Sequence, residues 1–297
     1  MSDLAIVIPA YKPDFLDATL RSFRNQSDKR FHIYIADDCS PFDLRGIVEK
    51  YEKVLPLTYH RFESNLGQQT LVGHWSRAIE LAQREEWIWL FSDDDVADAD
   101  CVKSFHAARS RYPQGELFHF NIYVIDSKGE DRIETRPEFP LTMSAGEFLE
   151  AKLRGKVVSY VVEFIFSRSL YNRVGGFTEF DLAWGSDFIT WLKMAADTPP
   201  GIVTIDSPDA KVGWRQSALN ISPDKSYRTV KRKLRAMIEN AAVIKSELKN
   251  RPEKYQPLKY SFRWIRFPIG EIWRNRRFIK TSDMVTLCKE YFKKVIF

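Results

Sequence analysis

The chain has 297 residues but only three cysteines, Cys39, Cys101 and Cys288, odd in number and far apart. That usage excludes a disulfide scaffold and a cysteine-built zinc site, and it fits a reducing cytosol. The opening Met1-Ser2-Asp3 lacks the basic start and long apolar run of a secretory signal. The apolar stretch from Leu4 to Ala10 is too short to span a bilayer, and no other segment reaches spanning length. No glycine-rich phosphate loop follows the first apolar run, where Pro9-Ala10-Tyr11-Lys12 stands instead. No recognised nucleic-acid-binding motif occurs, so no nucleic-acid partner is expected. What is present, with 44% hydrophobic residues, suffices for one large α/β core or a core domain plus an extension.

The organising stretch is Trp87-Ile88-Trp89-Leu90-Phe91, five bulky apolar residues that predict a strand buried on both faces. It runs straight into Ser92-Asp93-Asp94-Asp95. Three adjacent carboxylates repel one another, and a hard divalent ion that keeps open positions for water or phosphate would offset the repulsion. The competing reading is a solvated acidic turn before a helix capped by Asp98.

The neighbours decide between these readings. Leu4 to Ile8 predicts a first, central strand, a helix starts near Pro13-Asp14, and Phe31 to Ala36 predicts a second strand ending in Asp37-Asp38. A helix over Phe42 to Lys53 and a third strand over Leu57 to Phe62 follow. This alternation predicts a right-handed βαβ array with a mostly parallel sheet, and such sheets bind ligands beyond the carboxyl ends of their strands. Tyr11, Asp37, Asp38 and Asp93 to Asp95 all fall at those ends, which favours one site over three unrelated turns. Gly67, within Ser64 to Gln69, serves a tight turn before the next helix, whose N-terminus favours an anion.

Further along, a helix over Asp98 to Tyr112 and one strand over Leu117 to Ile125 are expected, then a turn at Asp126-Ser127-Lys128-Gly129 and loop as far as Pro140. A helix over Gly146 to Leu153 precedes a strand over Val157 to Ser167, inside which Glu163 reads as paired or solvated rather than catalytic. Ser186-Asp187 opens a helix with Phe188, Trp191, Leu192 and Ala195 on its buried face, and Asp187 by itself reads as an N-cap. Arg215 either grips a phosphate or pairs with a surface acid.

Charge divides the chain. Residues 225–297 hold 20 Lys/Arg against 6 Asp/Glu, and the first 224 residues hold 25 against 34. An acidic body with a basic tail points the last quarter at something anionic. Residues 223–250 predict one helix. Beyond it, Tyr260-Ser261-Phe262-Arg263-Trp264-Ile265-Arg266-Phe267 and Ile272-Trp273-Arg274-Asn275-Arg276-Arg277-Phe278 interleave aromatics with arginines, as a helix in a membrane interface does. The last helix, from Ser282 to Phe297, carries Met284, Cys288, Tyr291, Phe292 and Val295 on one stripe, which either packs back on the body or meets the membrane.

Six segments in order, Val7-Ile8-Pro9-Ala10-Tyr11-Lys12, Asp37-Asp38-Cys39-Ser40, Asn65-Leu66-Gly67, Ser92-Asp93-Asp94-Asp95, Gly175-Gly176-Phe177 with Asp187 downstream, and Trp214-Arg215, carry a likeness. Over residues 4–222 the chain resembles the family 2 inverting glycosyltransferases of the GT-A fold. The resemblance implies an α/β fold with a Rossmann-like, mostly parallel sheet flanked by helices. It would form a catalytic domain over residues 1–222, with 1–97 for the nucleotide and 98–222 for the acceptor. Residues 223–297 would be a basic helical extension.

The resemblance also implies a nucleotide-diphospho-sugar donor, most often a UDP-sugar, and a glycan or lipid-linked glycan acceptor. Pro9, Tyr11 and Asp38 would hold the base, and Asp93 would reach the ribose or metal. Asp94 or Asp95 would bind Mn²⁺ or Mg²⁺, with the choice of ligands among Asp93, Asp94 and Asp95 left open, and Arg215 would steady the departing diphosphate. Asp187 falls where the family keeps its base, although Ser186 replaces the usual Glu before it and Ser92 stands where an Asp is common. A sugar hydroxyl needs such a carboxylate to take its proton as it attacks, and one displacement then inverts the anomeric centre. The expectation is that Asp38, Asp94 and Asp187 converge on one pocket of a cytoplasmic enzyme, at the inner face of the cell membrane if the basic helices dock there. The alternative is a non-catalytic sugar-nucleotide-binding or membrane-docked partner protein of the same fold.

Overall fold

The first apolar run becomes β1 (Leu4–Ala10), which alternates with α1 (Leu16–Arg24), β2 (His32–Asp37), α2 (Leu44–Val48), β3 (Leu57–Arg61), α3 (Leu71–Ile79) and β4 (Trp87–Leu90). The computed structural model describes residues 3–129, 132–217, 223–256 and 263–297. β1 pairs in parallel with both β2 and β4, and β3 joins in parallel beyond β2. Side-chain alternation explains the central place of β1. Leu4, Ile6 and Ile8 pack on one face with Phe23 and Trp89, while Ala5 and Val7 pack on the other with Leu90.

After β4 come β5 (Val96–Ala97), α4 (Cys101–Arg111), β6 (Leu117–Phe120), β7 (Ile122–Ile125), β8 (Arg132–Thr135), β9 (Thr142–Met143), α5 (Ala145–Leu153), β10 (Phe164–Ser167) and α6 (Arg168–Arg173). Then follow α7 (Ser186–Asp197), β11 (Ile202–Ile205), β12 (Val212–Arg215), α8 (Tyr227–Asn250), α9 (Arg263–Arg274) and α10 (Thr281–Tyr291). The main sheet has the order β3-β2-β1-β4-β10-β6-β11-β9, and a smaller sheet has the order β5-β12-β7-β8. β10 runs antiparallel to both β4 and β6, so the parallel half of the main sheet ends at the strand that leads into the three carboxylates.

Several expected elements are redrawn. The run from Leu117 to Ile125 is two strands in two sheets, broken at Asn121. There the Asn121 carbonyl accepts the Val212 N–H at 3.1 Å and its side chain accepts the Phe139 N–H at 3.0 Å. The stretch toward Pro140 is not all loop, because β8 pairs with β7. Only the end of Val157 to Ser167 is strand, since a 3-10 turn forms over Val161–Glu163 where the Tyr160 N–H donates to the Glu163 carboxylate. The helix after Asp98 is preceded by Asp100 rather than capped by Asp98, whose carboxylate accepts Tyr123 Oη at 2.8 Å and the Lys211 N–H at 3.2 Å.

The basic tail folds on itself and on the body. Val230, Leu234 and Ile238 of α8, Ile272 of α9, and Leu287 and Tyr291 of α10 form their own apolar cluster with Val295. The stripe on the last helix is therefore largely used in packing. α8 also grips the body: Arg232 pairs with Asp181, and the Asn240 amide donates to the Trp184 carbonyl at 3.1 Å. Among the described residues no helix is long and apolar enough to cross a membrane.

Candidate active site

Because β1, β2 and β4 are parallel, their exit loops leave from the same edge of the sheet. They surround a hollow of about 410 Å³ whose lining includes Pro9, Tyr11, Lys12, Asp38, Gly67 and Asp94. Each carboxylate at this edge has a different set of neighbours, and these decide what it can do.

Asp93 reaches across to the first loop. Its Oδ2 accepts the N–H groups of Tyr11 at 2.9 Å and Lys12 at 3.1 Å, fixing the loop that carries the Tyr11 ring. Burial raises its pKa, against the pull of those two donors. Asp38 holds the opposite wall. Its two oxygens accept the N–H groups of Leu66 at 2.9 Å and Gly67 at 2.8 Å, and Arg77 donates to it as well. A Cβ on Gly67 would stand 2.7 Å from Asp38 Oδ2, so this close approach requires glycine. His74, not expected at the site, also lines the hollow. Its Nδ1 accepts from Arg77 Nε at 3.2 Å, and burial pushes its pKa down to about 4, which keeps the ring neutral. The i, i+3 spacing of His74 and Arg77 was the available signal.

Asp95 and Arg215 depart from expectation. Asp95 is 1% exposed, does not line the hollow, and accepts the Arg215 N–H at 2.7 Å. Burial, then the neighbouring Asp94, raises its pKa well above the carboxylate range. It ties the end of β4 to β12 and is not placed as a metal ligand. The Arg215 side chain is buried too: its Nε donates to the Asp94 carbonyl at 2.6 Å, its Nη1 to the Asp126 carbonyl at 3.2 Å, and it lies 4.4 Å from the centre of the Phe15 ring. Those contacts hold the loop after β4 from behind, so neither alternative, a phosphate grip or a surface pair, describes it.

Asp94 is left facing the hollow. Among the described residues no other residue donates a hydrogen bond to its carboxylate. Burial, then the Asp93 charge, pushes its pKa up to about 7 against the pull of Lys12 and Arg215. Among the described residues no three His, Cys, Asp or Glu side chains are grouped to hold a metal by themselves. A divalent ion held by one or two carboxylates and completed by substrate phosphates does not need such a group, and Asp94 with adjacent Asp93 fits that mode.

Asp187 comes from a different part of the chain. It occupies the first turn of α7, after Gly185 at φ 84°, and does not line the hollow. The expected sharing of one pocket therefore holds for Asp38 and Asp94 but not for Asp187. Its surroundings are those of a tuned carboxylate: burial raises its pKa, while Lys152 and the Phe188 N–H pull it down and Glu163 pushes it up. Lys152 projects from α5 with its Nζ 2.8 Å from Ser159 Oγ and 5.5 Å from the centre of the Phe188 ring. Burial lowers its pKa, opposed by Asp187 and Glu163. Glu163 itself is paired, as expected, with His119 at 2.6 Å. Lys152 went unnoticed in the sequence, although a lysine four residues after Phe148 and three after Leu149 stands on a buried stripe. At Ser186, where the usual Glu is missing, the hydroxyl accepts the Phe180 N–H at 3.2 Å and so has a structural use.

A mixed sheet with a clamped loop after β3 and carboxylates at the end of β4 is the arrangement of a GT-A fold, and the comparisons place it in the glycosyltransferase class. The model of glycosyl transferase family 2 matches residues 5–167, more than half of the chain, and the chain belongs to that family. TuaG of Bacillus subtilis (strain 168), assigned as a teichuronic acid biosynthesis glycosyltransferase, is 25% identical over 139 residues, covering 46% of this chain and 53% of TuaG. The chain thus matches about half the length of that relative. Residues 1–349 of S. aureus TarS, solved in complex with UDP-GlcNAc, superpose over 100% of this chain and 89% of that one with a TM-score of 0.61 at 16% identity. A mannosyltransferase of Pyrobaculum calidifontis, in complex with GDP-Man and Mn²⁺, does so over 97% and 79% with a TM-score of 0.56 at 13% identity. At these identities the superpositions establish the fold.

Proposed function

We propose that the chain is a metal-dependent, inverting glycosyltransferase that moves a hexosyl or N-acetylhexosaminyl group from a UDP-sugar to a glycan or lipid-linked glycan. The observation that carries this reading is Asp94, a carboxylate facing the hollow without a hydrogen-bond donor from another described residue, between the Tyr11 and Gly67 loops. In this reading the Tyr11 ring lies against the base, with Pro9 beneath it and Asp38 fixing the loop beside it. Asp94, assisted by Asp93, holds Mn²⁺ or Mg²⁺. When bound, the cation neutralises charge on the departing diphosphate.

Asp187 is the base. Its Oδ takes the proton of the acceptor hydroxyl as that oxygen attacks the anomeric carbon, and Lys152 keeps the carboxylate ionised between turnovers. The UDP-GlcNAc in TarS and the Mn²⁺ in the mannosyltransferase support the donor and the metal, and the teichuronic acid biosynthesis named for TuaG supports a glycan as acceptor. The site of action would be cytoplasmic.

The test is thermal stabilisation by UDP-GlcNAc, UDP-glucose and GDP-mannose, each with Mn²⁺ and with chelator, followed by Asp187→Asn. A UDP-sugar should stabilise most, chelation should remove the effect, and Asp187→Asn should bind donor without transferring it. Indifference to every nucleotide would overturn the reading. Binding with no transfer by the wild-type chain would favour the non-catalytic alternative.

A further inference from the structure

α9 has two faces. Its inner face gives Ile265, Ile269 and Ile272 to the cluster shared with α8 and α10. Its outer face repeats every three or four residues as Arg263, Arg266, Phe267, Gly270, Trp273 and Arg274, a stripe about 16 Å long. Arg276 and Arg277 extend it, with the Arg276 guanidinium 4.6 Å from the centre of the Trp273 ring. Trp273 is 61% exposed and Phe267 37% exposed, unusual for large rings on a helix that has an apolar core to join. The arginines, Phe267, Gly270 and Leu153 of α5 surround a shallow hollow of about 420 Å³. Among the described residues these five guanidiniums pair with Glu271, through Arg274, and approach Glu150, which is 3.9 Å from Arg263 and also paired with Arg154.

We propose that the outer face of α9 is a docking surface for an anionic phospholipid bilayer. Guanidiniums would meet lipid phosphates, and Trp273 and Phe267 would enter the headgroup layer. The charge selects this occupant, because an excess of arginine beside exposed rings matches an anionic interface whose outer layer is polar and whose interior is apolar. The same pattern without the charge would match a second protein surface. The surface lies outside the donor hollow and does not rest on the catalytic reading.

Co-sedimentation of the full chain with phosphatidylcholine vesicles, and with vesicles containing about a third phosphatidylglycerol, tests it. The chain should bind the second kind only, and raised salt should release it. Arg266→Gln combined with Arg274→Gln should weaken binding about 30-fold, and Trp273→Ser should weaken it at every salt concentration. All three side chains are solvent-facing, so the variants should keep the wild-type melting temperature. Lack of binding to the anionic vesicles, or equal binding to both kinds, would overturn the proposal without involving any variant. So would a dimer in solution that Trp273→Ser dissolves. A chain that binds vesicles but no nucleotide would sink the catalytic reading and leave this one standing.

Discussion

The sheet-edge hollow and the start of α7 handle their carboxylates in opposite ways. At the ends of β1, β2 and β4, Asp38, Asp93 and Asp95 each accept backbone N–H groups from distant segments and so act as loop anchors. Among the described residues, Asp94 alone of these four stays without such donors. At the start of α7 a single carboxylate, Asp187, feels the charge of the half-buried Lys152 instead. The comparison teaches that an acidic cluster is not a set of equivalent ligands. Carboxylate oxygens that accept backbone N–H groups give precision to the loops, and the oxygens left over are available for chemistry.

Four experiments would break or sharpen this contrast. The largest effect is expected from Asp187→Asn, which should lower transfer by about 10² to 10⁴ while donor affinity stays near wild type. A comparable loss of donor affinity would place Asp187 with the donor-side residues. Next, Arg215→Met should cost about 2–4 kcal/mol of stability, because the Asp94 and Asp126 carbonyls lose a buried charged donor. Donor affinity should hardly change. A wild-type melting point with weakened diphosphate binding would restore the phosphate grip.

Asp94→Asn should weaken Mn²⁺ binding about 10- to 100-fold, read by calorimetry. Without metal it should also stabilise the chain near and above neutral pH. The folded-state pKa of Asp94, about 7, lies above its unfolded value, so the wild type loses stability as pH rises from the ordinary carboxylate range toward 7. A melting curve as pH-dependent in the variant as in the wild type would move that titration to another group. The smallest effect is expected from Lys152→Met. Removing the cation should move the acid limb of the pH–rate profile upward and lower turnover about tenfold at mildly acid pH, with Lys152→Arg retaining most of it. An unmoved acid limb would reduce Lys152 to packing.

The elements around the sheet-edge hollow are legible because each depends on a short local pattern. Alternating apolar residues in β1 and β2 and the continuous run in β4 each ended in polar residues, and a parallel sheet puts such ends on one edge. The likeness of six short segments then assigned the class. Less was legible where a residue's role depends on a partner far along the chain. Asn121 sits in an apolar run, and nothing local shows that it sends the chain from one sheet to the other. Glu163 reads as paired but not with whom, and nothing local to Lys152 sets it apart from the usual solvated lysine.

By itself the sequence determined the strand and helix alternation, the edge of the sheet that bears the acidic residues, the helix start at Ser186-Asp187, though not its cap at Gly185, and the basic character of the last quarter. These follow from periodicity and composition, which neighbouring residues define among themselves. The tertiary structure alone decided that Asp93 turns to Tyr11, Asp95 to Arg215 and Asp94 to the hollow. Three identical side chains in a row differ only in direction, and direction is set by which donors the fold brings from 82 and 120 residues away.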